Sequence, residues 1–169
     1  MPELPEVETV RKGLEEKVSG FLIKQVEVLK ERSIASKGGS KEFIDMMVGL
    51  KVISWKRRGK YLIASLQKEN CTNNIFEHAG WWAVHLRMTG QFQFIQKTSL
   101  PCSHTRVRFW NKEGDELRFI DTRNFGQMWW INPKSSPLMD INGLRKLGPE
   151  PFSKKFNPSY LKQKLKGRK

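Results

Sequence analysis

The feature that most constrains the fold is a series of short β-type segments, separated by glycine, that begins at residue 51. The segments cover 51–57, 60–67, 74–78, 81–86, 91–96, 105–110, 116–121 and 127–132. Polar and apolar residues alternate in several of them, which is the period of a strand with one buried face. With turn glycines at 59, 80, 90, 114 and 126, this pattern predicts a β-sandwich or flattened barrel of about eight short, mainly antiparallel strands.

Helices are predicted outside this β-rich region. An apolar face formed by Leu4, Val7, Val10, Leu14 and Val18 predicts a helix over residues 3–18. A strand-like segment at 21–30 precedes a second, short helix over 40–48, with the serine at position 40 as its N-cap. Near the end of the sequence, an asparagine N-cap at 157 followed by proline predicts a further helix. The fold class is therefore α+β.

Composition shifts divide the chain into three parts. We expect a β-sandwich domain over residues 1–132 and a Pro- and Ser-containing linker over 133–156. Residues 157–169 are expected to be the start of a truncated helical domain. Residues 153–169 hold seven basic side chains and no acidic one.

Charge and cysteine content narrow the class of protein. The chain has 31 Lys and Arg against 17 Asp and Glu, a formal net charge of +14. Such an excess favours a polyanionic partner, usually nucleic acid, although ribosomal and membrane-surface proteins share it. Cys71 and Cys102 are not in a C-x-x-C pair and predict free thiols in a reducing compartment. No apolar run approaches the ~20 residues of a membrane span, so we expect a cytoplasmic protein.

The extreme N-terminus places a candidate nucleophile beside two carboxylates. Removal of Met1 would make Pro2 an N-terminal secondary amine with an unperturbed pKa of about 7.7–8.0, uncharged in part near neutral pH. Glu3 and Glu6 follow at helical spacing. The helix N-terminus would lower the pKa of the amine and the carboxylates would raise it, and the sequence leaves that balance open. The alternative interpretation is a simple helix start with acidic first-turn residues.

The segment PELPEVETVRKGL resembles the formamidopyrimidine-DNA glycosylases, which excise oxidised purines from DNA and then cut the strand. The resemblance implies that Pro2 attacks C1′ of a damaged nucleotide, such as 8-oxoguanine or a formamidopyrimidine, and forms a Schiff base. β,δ-Elimination would then cleave the strand. The resemblance also implies that Glu3 donates a proton to the sugar and that Glu6 organises the site. The expected partner is damaged double-stranded DNA, bound by a monomer.

Two further motifs support the resemblance by supplying phosphate contacts. Arg57-Arg58-Gly59-Lys60-Tyr61 forms a basic turn, and the family's corresponding lysine contacts DNA near the lesion, which gives Lys60 its expected role. His85 begins a segment, HLRMTG, that resembles the family's H-L-x-M-[ST]-G, and by resemblance binds a backbone phosphate. Many family members have glycine at the position of Arg87, so the loop geometry or phosphate contact is expected to differ here.

The remaining motif residues fill the space that a flipped nucleotide leaves. By resemblance, Met88 enters the hole itself, where a flexible thioether adapts to irregular space. The segment DTRNFG at 121–126 resembles the family's D-x-R-x-F-G loop. In it, Arg123 would face the orphaned base and Phe125 would wedge between bases on that side. These void-filling residues, Met88, Arg123 and Phe125, are expected to contact DNA.

The resemblance covers only the front part of the family. Its members also carry a helix-two-turn-helix domain and a zinc finger with four cysteines, and neither motif occurs in this sequence. We therefore expect no metal or cofactor in this chain, and a weakened grip on duplex DNA, because each lost phosphate contact lowers affinity. Three alternatives stay open: an endonuclease VIII-like glycosylase for oxidised pyrimidines, whose members usually begin PEGPE, a non-catalytic DNA-binding remnant, and a basic protein that binds RNA or ribosomes.

Overall fold

The computed structural model describes residues 2–70, 75–97 and 99–167. Within these residues, the helices are α1 (Leu4–Val18), α2 (Gly39–Met47), α3 (Pro137–Asp140), α4 (Asn142–Arg145) and α5 (Pro158–Leu165), with a 3-10 turn at Glu31–Ser33. The strands are β1 (Gln25–Val28), β2 (Lys51–Arg58), β3 (Tyr61–Asn70), β4 (Ile75–His85), β5 (Gln91–Ile95), β6 (Thr105–Trp110), β7 (Glu116–Ile120) and β8 (Gln127–Ile131). No described helix is long and apolar enough to cross a membrane.

The strands form two four-stranded antiparallel sheets, with orders β1-β6-β7-β5 and β2-β3-β4-β8. The sheets face each other across an aromatic core in which Trp82 of one lies 4.5 Å, ring to ring, from Phe109 of the other. Both side chains are fully buried, and burial of each large apolar group contributes roughly 1.5–3 kcal/mol. The predicted α+β class with a β-sandwich is confirmed.

Helix α1 packs along this sandwich as its apolar period predicts. Val7, Leu14 and Val18 are buried in the main core, and the helix contacts β2 above all. The helix begins at Leu4 rather than at residue 3, with Glu3 as its N-cap. This packing fixes the direction of the helix, so Pro2 is held at one end of the sandwich.

Two local predictions are wrong. The predicted strands 74–78 and 81–86 are one continuous strand, β4, over the described residues, because Gly80 lies at a register shift opposite Leu66 and Gln67 instead of in a turn. Gly80 has φ +103°, and a Cβ there would lie 2.1 Å from the carbonyl oxygen of Ile131. Ser40 does not cap α2, whose N-cap is Gly38. Its hydroxyl instead donates to the Glu31 carboxylate at 2.5 Å.

The segment 133–156, predicted as a linker, contains α3 and α4, which cover the outer face of the second sheet. Ile141 and Leu144 are buried there in a separate apolar cluster with Tyr61, Ala83 and Ile131. Helix α5 begins as predicted: the Asn157 side chain accepts a hydrogen bond from the Tyr160 N–H at 2.9 Å. The domain boundaries at 132 and 156 stay predictions. Cys102 is an exposed free thiol, and Cys71 lies outside the described residues.

Candidate active site

The start of α1 holds Pro2 and both predicted carboxylates together. Pro2 directly precedes the N-cap residue Glu3, whose backbone N–H donates to the Glu6 carboxylate at 3.0 Å. This bond is one half of a capping box, which satisfies an N–H that the helix itself leaves free. Glu3 and Glu6 are exposed and Pro2 is half-buried. The Glu6 carboxylate therefore fixes the chain that carries the candidate nucleophile, while the Glu3 side chain remains accessible.

A cavity of about 400 Å³ opens beside Pro2 and joins the N-terminus to two distant motifs. Its lining includes Pro2 and Glu6 from the N-terminal segment, Thr89 and Gly90 from the HLRMTG segment, and Thr122 from the DTRNFG loop. Three segments that the sequence singled out separately thus meet at one concave surface. A candidate nucleophile and a carboxylate in one cavity suit an attack on a bound carbon.

The buried carboxylate of Asp121 holds the two motif loops against each other. It accepts hydrogen bonds from the Thr89 hydroxyl, from the Arg123 N–H at 3.2 Å and from the Gly126 N–H at 2.7 Å. The Thr89 oxygen also accepts from the Arg123 N–H, at 3.1 Å. In the sequence, Asp121 and Thr89 stand inside the two motifs without an assigned role. The structure shows them as the link between the loops.

Two glycines let these loops close on the same buried aromatic ring. A Cβ on Gly90 would lie 2.9 Å from the tip of the Phe119 ring, and one on Gly126 would lie 2.6 Å from it. Real Cβ atoms do not approach so closely, and Phe119 is fully buried and cannot move away. The close packing explains why both motifs end in glycine.

The void-filling residues lie on the surface near this cavity. Met88 is 37% exposed and Phe125 is 38% exposed, a high fraction for such large apolar side chains. The Arg123 guanidinium lies 5.3 Å from the centre of the Phe125 ring, and a second cation, Arg32, lies 5.4 Å from it. No motif of the sequence includes Arg32, which belongs to the 3-10 turn after β1. The structure brings Arg123 and Phe125 together, and their roles toward DNA stay predictions.

His85 is a neutral hydrogen-bond donor at physiological pH. Burial, together with the positive charges of Arg87 and Lys60, lowers the pKa of His85 to about 4. Its Nδ1 accepts a hydrogen bond from the Arg87 N–H at 3.0 Å, so the neutral ring carries its proton on Nε2. The structure thus places the two predicted phosphate contacts, Lys60 and His85, in one electropositive neighbourhood.

Arg87 occupies a backbone conformation that favours glycine. Its φ is +57°, in the left-handed region, where a side chain other than Asn or Gly costs of order 1 kcal/mol. The loop therefore follows a path that glycine also adopts. Its guanidinium donates to the Gln127 side chain at 3.2 Å and is otherwise exposed. Compared with a glycine at this position, Arg87 adds a cation beside His85.

Ion pairs join the Lys60 hairpin to two other elements. Arg57 donates to Glu8 of α1 at 2.8 Å and lies 3.6 Å from Glu150. Glu150 also accepts from the Arg58 guanidinium at 2.6 Å and from the Gly59 N–H at 3.0 Å. Burial opposes ionisation of Glu150, but these contacts outweigh it and lower its pKa. No sequence signal pointed to this network, because Glu150 is 91 residues away from Gly59.

The chain is similar to known proteins over its whole length. A family model of the formamidopyrimidine-DNA glycosylase N-terminal domain matches residues 1–128. A formamidopyrimidine-DNA glycosylase from one strain of Prochlorococcus marinus is 61% identical over 169 residues, which are 100% of this chain and 58% of that protein. A formamidopyrimidine-DNA glycosylase from another strain of the same organism, MIT 9211, is 64% identical over 100% of this chain and 59% of that protein.

Solved structures show the same architecture. The Lactococcus lactis Fpg in complex with abasic-site DNA superposes with a TM-score of 0.81 at 26% identity, over 98% of this chain and 57% of that one. The same enzyme bound to DNA with an oxidised pyrimidine superposes with a TM-score of 0.81 at 27% identity, over 98% of this chain and 57% of that one. The chain therefore spans less than two thirds of the length of the relatives it matches.

Proposed function

The chain belongs to the formamidopyrimidine-DNA glycosylase family, and we propose that it carries the catalytic groups of a DNA repair glycosylase and abasic-site lyase. The observation that carries this proposal is the cavity in which Pro2 and Glu6 meet Thr89, Gly90 and Thr122 of the two DNA-contacting motifs. The substrate class is double-stranded DNA with an oxidised purine. We also propose that the protein acts as a monomer in the cytoplasm, where the free thiol of Cys102 stays reduced.

In the proposed reaction, the Pro2 nitrogen attacks C1′ of the flipped nucleotide once Met1 is gone. The glycosidic bond breaks and the base leaves with its electron pair and a proton. The nitrogen lone pair then forms a C1′ iminium while O4′ leaves C1′ and takes a proton, and we assign the supply of that proton to the exposed Glu3 carboxyl. β- and δ-Elimination break the C3′–O and C5′–O bonds, and water releases the sugar from the amine.

The chain's other motif residues position the DNA in this proposal. Lys60 and the Nε2–H of His85 bind phosphates on the strand that carries the lesion. Met88 fills the space of the flipped nucleotide, while Arg123 and Phe125 face the opposite strand. Insertion of such large exposed side chains costs unstacking energy, which is offset by the additional contact with a kinked duplex.

Oxidised pyrimidines are a second candidate substrate class. The observation in their favour is that the Lactococcus lactis Fpg, whose fold this chain shares, was solved with DNA that contains an oxidised pyrimidine. The two classes differ in the base and share the attack at C1′. The same chemistry therefore serves either lesion, and the pocket that reads the base decides between them.

Borohydride trapping tests the proposal. The chain is incubated with duplex DNA that carries 8-oxoguanine or a 5-hydroxy-pyrimidine, and sodium borohydride reduces any iminium to a stable covalent adduct. We expect an adduct with 8-oxoguanine duplex from protein with a free Pro2. A form with an uncleaved N-terminal extension is the control, since its Pro2 nitrogen is an amide and cannot form the iminium. An adduct of equal yield from the extended form, or none from either form, contradicts the proposed catalytic role.

A further inference from the structure

A basic groove of about 740 Å³ lies outside the candidate active site, between α4, the turn after it and α5. The basic residues in its lining are Arg58, Arg145, Lys146, Lys155 and Lys164. Among the described residues, no acidic side chain lines it. Like charges gathered in this way repel one another unless a polyanion or salt offsets them.

Four of these five cations keep their charge available for a ligand. Arg58 is the exception, because it is paired with Glu150 at 2.6 Å. Arg145 donates to the neutral Asn142 side chain at 2.7 Å, and the Lys164 ammonium lies 6.0 Å from the centre of the Tyr160 ring. Neither contact brings a negative charge. Lys146 and Lys155 are exposed, as are Arg145 and Lys164.

The groove adjoins the hairpin that carries Lys60. Arg58 lines the groove and lies two residues before Lys60. Gly59 packs so closely against the groove wall that a Cβ there would lie 2.8 Å from the Leu147 side chain. The groove therefore begins two residues from Lys60, and the carboxylate between them, that of Glu150, is paired with Arg57 and Arg58.

We propose that this groove binds the phosphate backbone of DNA and extends the protein's hold on the duplex beyond the candidate active site. The proposal rests on the proposed function only for the identity of the polyanion, since the charge and shape of the groove are independent of catalysis. Arg145, Lys146, Lys155 and Lys164 are the contacting residues. They read no sequence, because phosphates are the same at every base pair.

The salt dependence of DNA binding tests the groove directly. The groove variant carries Arg145→Gln, Lys146→Gln, Lys155→Gln and Lys164→Gln. A control variant carries Lys12→Gln, Lys24→Gln, Lys68→Gln and Lys112→Gln, four exposed positions outside the groove. Both variants of the 169-residue chain lose the same number of positive charges. Fluorescence anisotropy gives the dissociation constant for an undamaged duplex between about 50 and 200 mM NaCl, the range over which phosphate contacts change affinity most visibly.

Each phosphate contact adds roughly 0.9 to the slope of log affinity against log salt. We expect the groove variant to lose about three to four units of slope and at least about 10-fold in affinity at roughly 0.1 M salt. The control is expected to lose less than about one unit. A groove variant that matches the control in slope and affinity overturns the proposal, as does a wild-type chain that does not bind the duplex at the lowest salt concentration.

Two further measurements separate this result from folding and from catalysis. Thermal unfolding shows whether the groove variant is folded. If that variant is unfolded, a double variant with Lys146→Gln and Lys155→Gln takes its place and is expected to lose about two units of slope. Trapping of the wild-type chain on a single-stranded abasic site reports the proposed chemistry alone. If the wild-type chain is trapped but the groove variant has an unchanged salt slope, the groove proposal is wrong and the proposed catalytic function stands. If the groove variant loses slope but the wild-type chain is not trapped, the groove proposal stands and the proposed catalytic function is wrong.

Discussion

The buried carboxylate of Asp121 accepts a hydrogen bond from the hydroxyl of Thr89, across 32 residues of sequence. Through this contact, the segment that carries Met88 and the loop that carries Arg123 and Phe125 form one unit. The carboxylate also accepts from the Gly126 N–H at 2.7 Å, which fixes the far end of the loop. The relative position of the void-filling residues therefore depends on a residue that does not face solvent.

Asp121→Asn is expected to lower the free energy of unfolding by roughly 1–3 kcal/mol. The amide nitrogen of Asn cannot accept from Thr89 or Gly126, so a buried N–H or hydroxyl loses its acceptor. Urea unfolding measures the change, with the exposed Asp45→Asn as the matched control. We also expect weaker binding to an abasic duplex, because the two loops are no longer held together. Equal stability of the two variants would show that the Asp121 contacts do not hold the loops.

Arg87→Gly is expected to raise the pKa of His85 from about 4 toward its ordinary value, because one of the two neighbouring cations is removed. The pKa should stay below 6.5, since burial is its largest cause. Two-dimensional NMR of the imidazole measures both values. Stability should change by less than about 1 kcal/mol, because glycine relieves the left-handed backbone but adds chain entropy. A wild-type His85 that titrates near 6.5 contradicts this account.

The depressed pKa of His85 also predicts how stability depends on pH. Between pH 6.5 and about 4, the unfolded chain binds a proton at His85 that the folded chain does not bind. The free energy of unfolding should therefore fall as pH falls through this window. His85→Gln should remove the part of the slope that His85 contributes. Urea unfolding at several pH values tests it, and an identical slope in the variant would contradict the assignment.

Glu150→Gln is expected to loosen the Lys60 hairpin and to lower the free energy of unfolding by roughly 1–3 kcal/mol. The neutral amide accepts less strongly from Arg58 and the Gly59 N–H, and Arg57 loses an ion-pair partner. Because these contacts lower the pKa of Glu150, their contribution in the wild type is present at neutral pH and is lost in acid. The matched control is Glu113→Gln, which affects only an exposed pair with Lys112. Equal losses in both variants would contradict the role of Glu150.

The sequence predicted the elements whose signals are local. The apolar period of α1 and the Asn157 cap of α5 depend on neighbours within a few residues, and both helices are present as predicted. The sequence predicts a turn at Gly80, although glycine occurs at turns and at bulges alike. Only its position opposite Leu66 and Gln67 separates the two. That position is a property of the partner strand.

The candidate site was predictable where a motif is continuous and not where contacts are distant. Pro2, Glu3, His85 and Phe125 stand in recognisable segments. Glu150 and Arg32 do not, because each acts through residues far away in sequence, on the hairpin and on the Phe125 ring. No periodicity or spacing in the sequence predicts such pairs, because they depend on how the elements pack together.

The site of covalent attachment decides whether Pro2 is the nucleophile. The chain with a free Pro2 is trapped with borohydride on DNA that carries an abasic site, the DNA is digested, and the N-terminal peptide is sequenced by mass spectrometry. We expect the reduced sugar remnant on the Pro2 nitrogen. A remnant on a lysine side chain, such as that of Lys60, or an adduct that forms equally well when Met1 is retained, would contradict it.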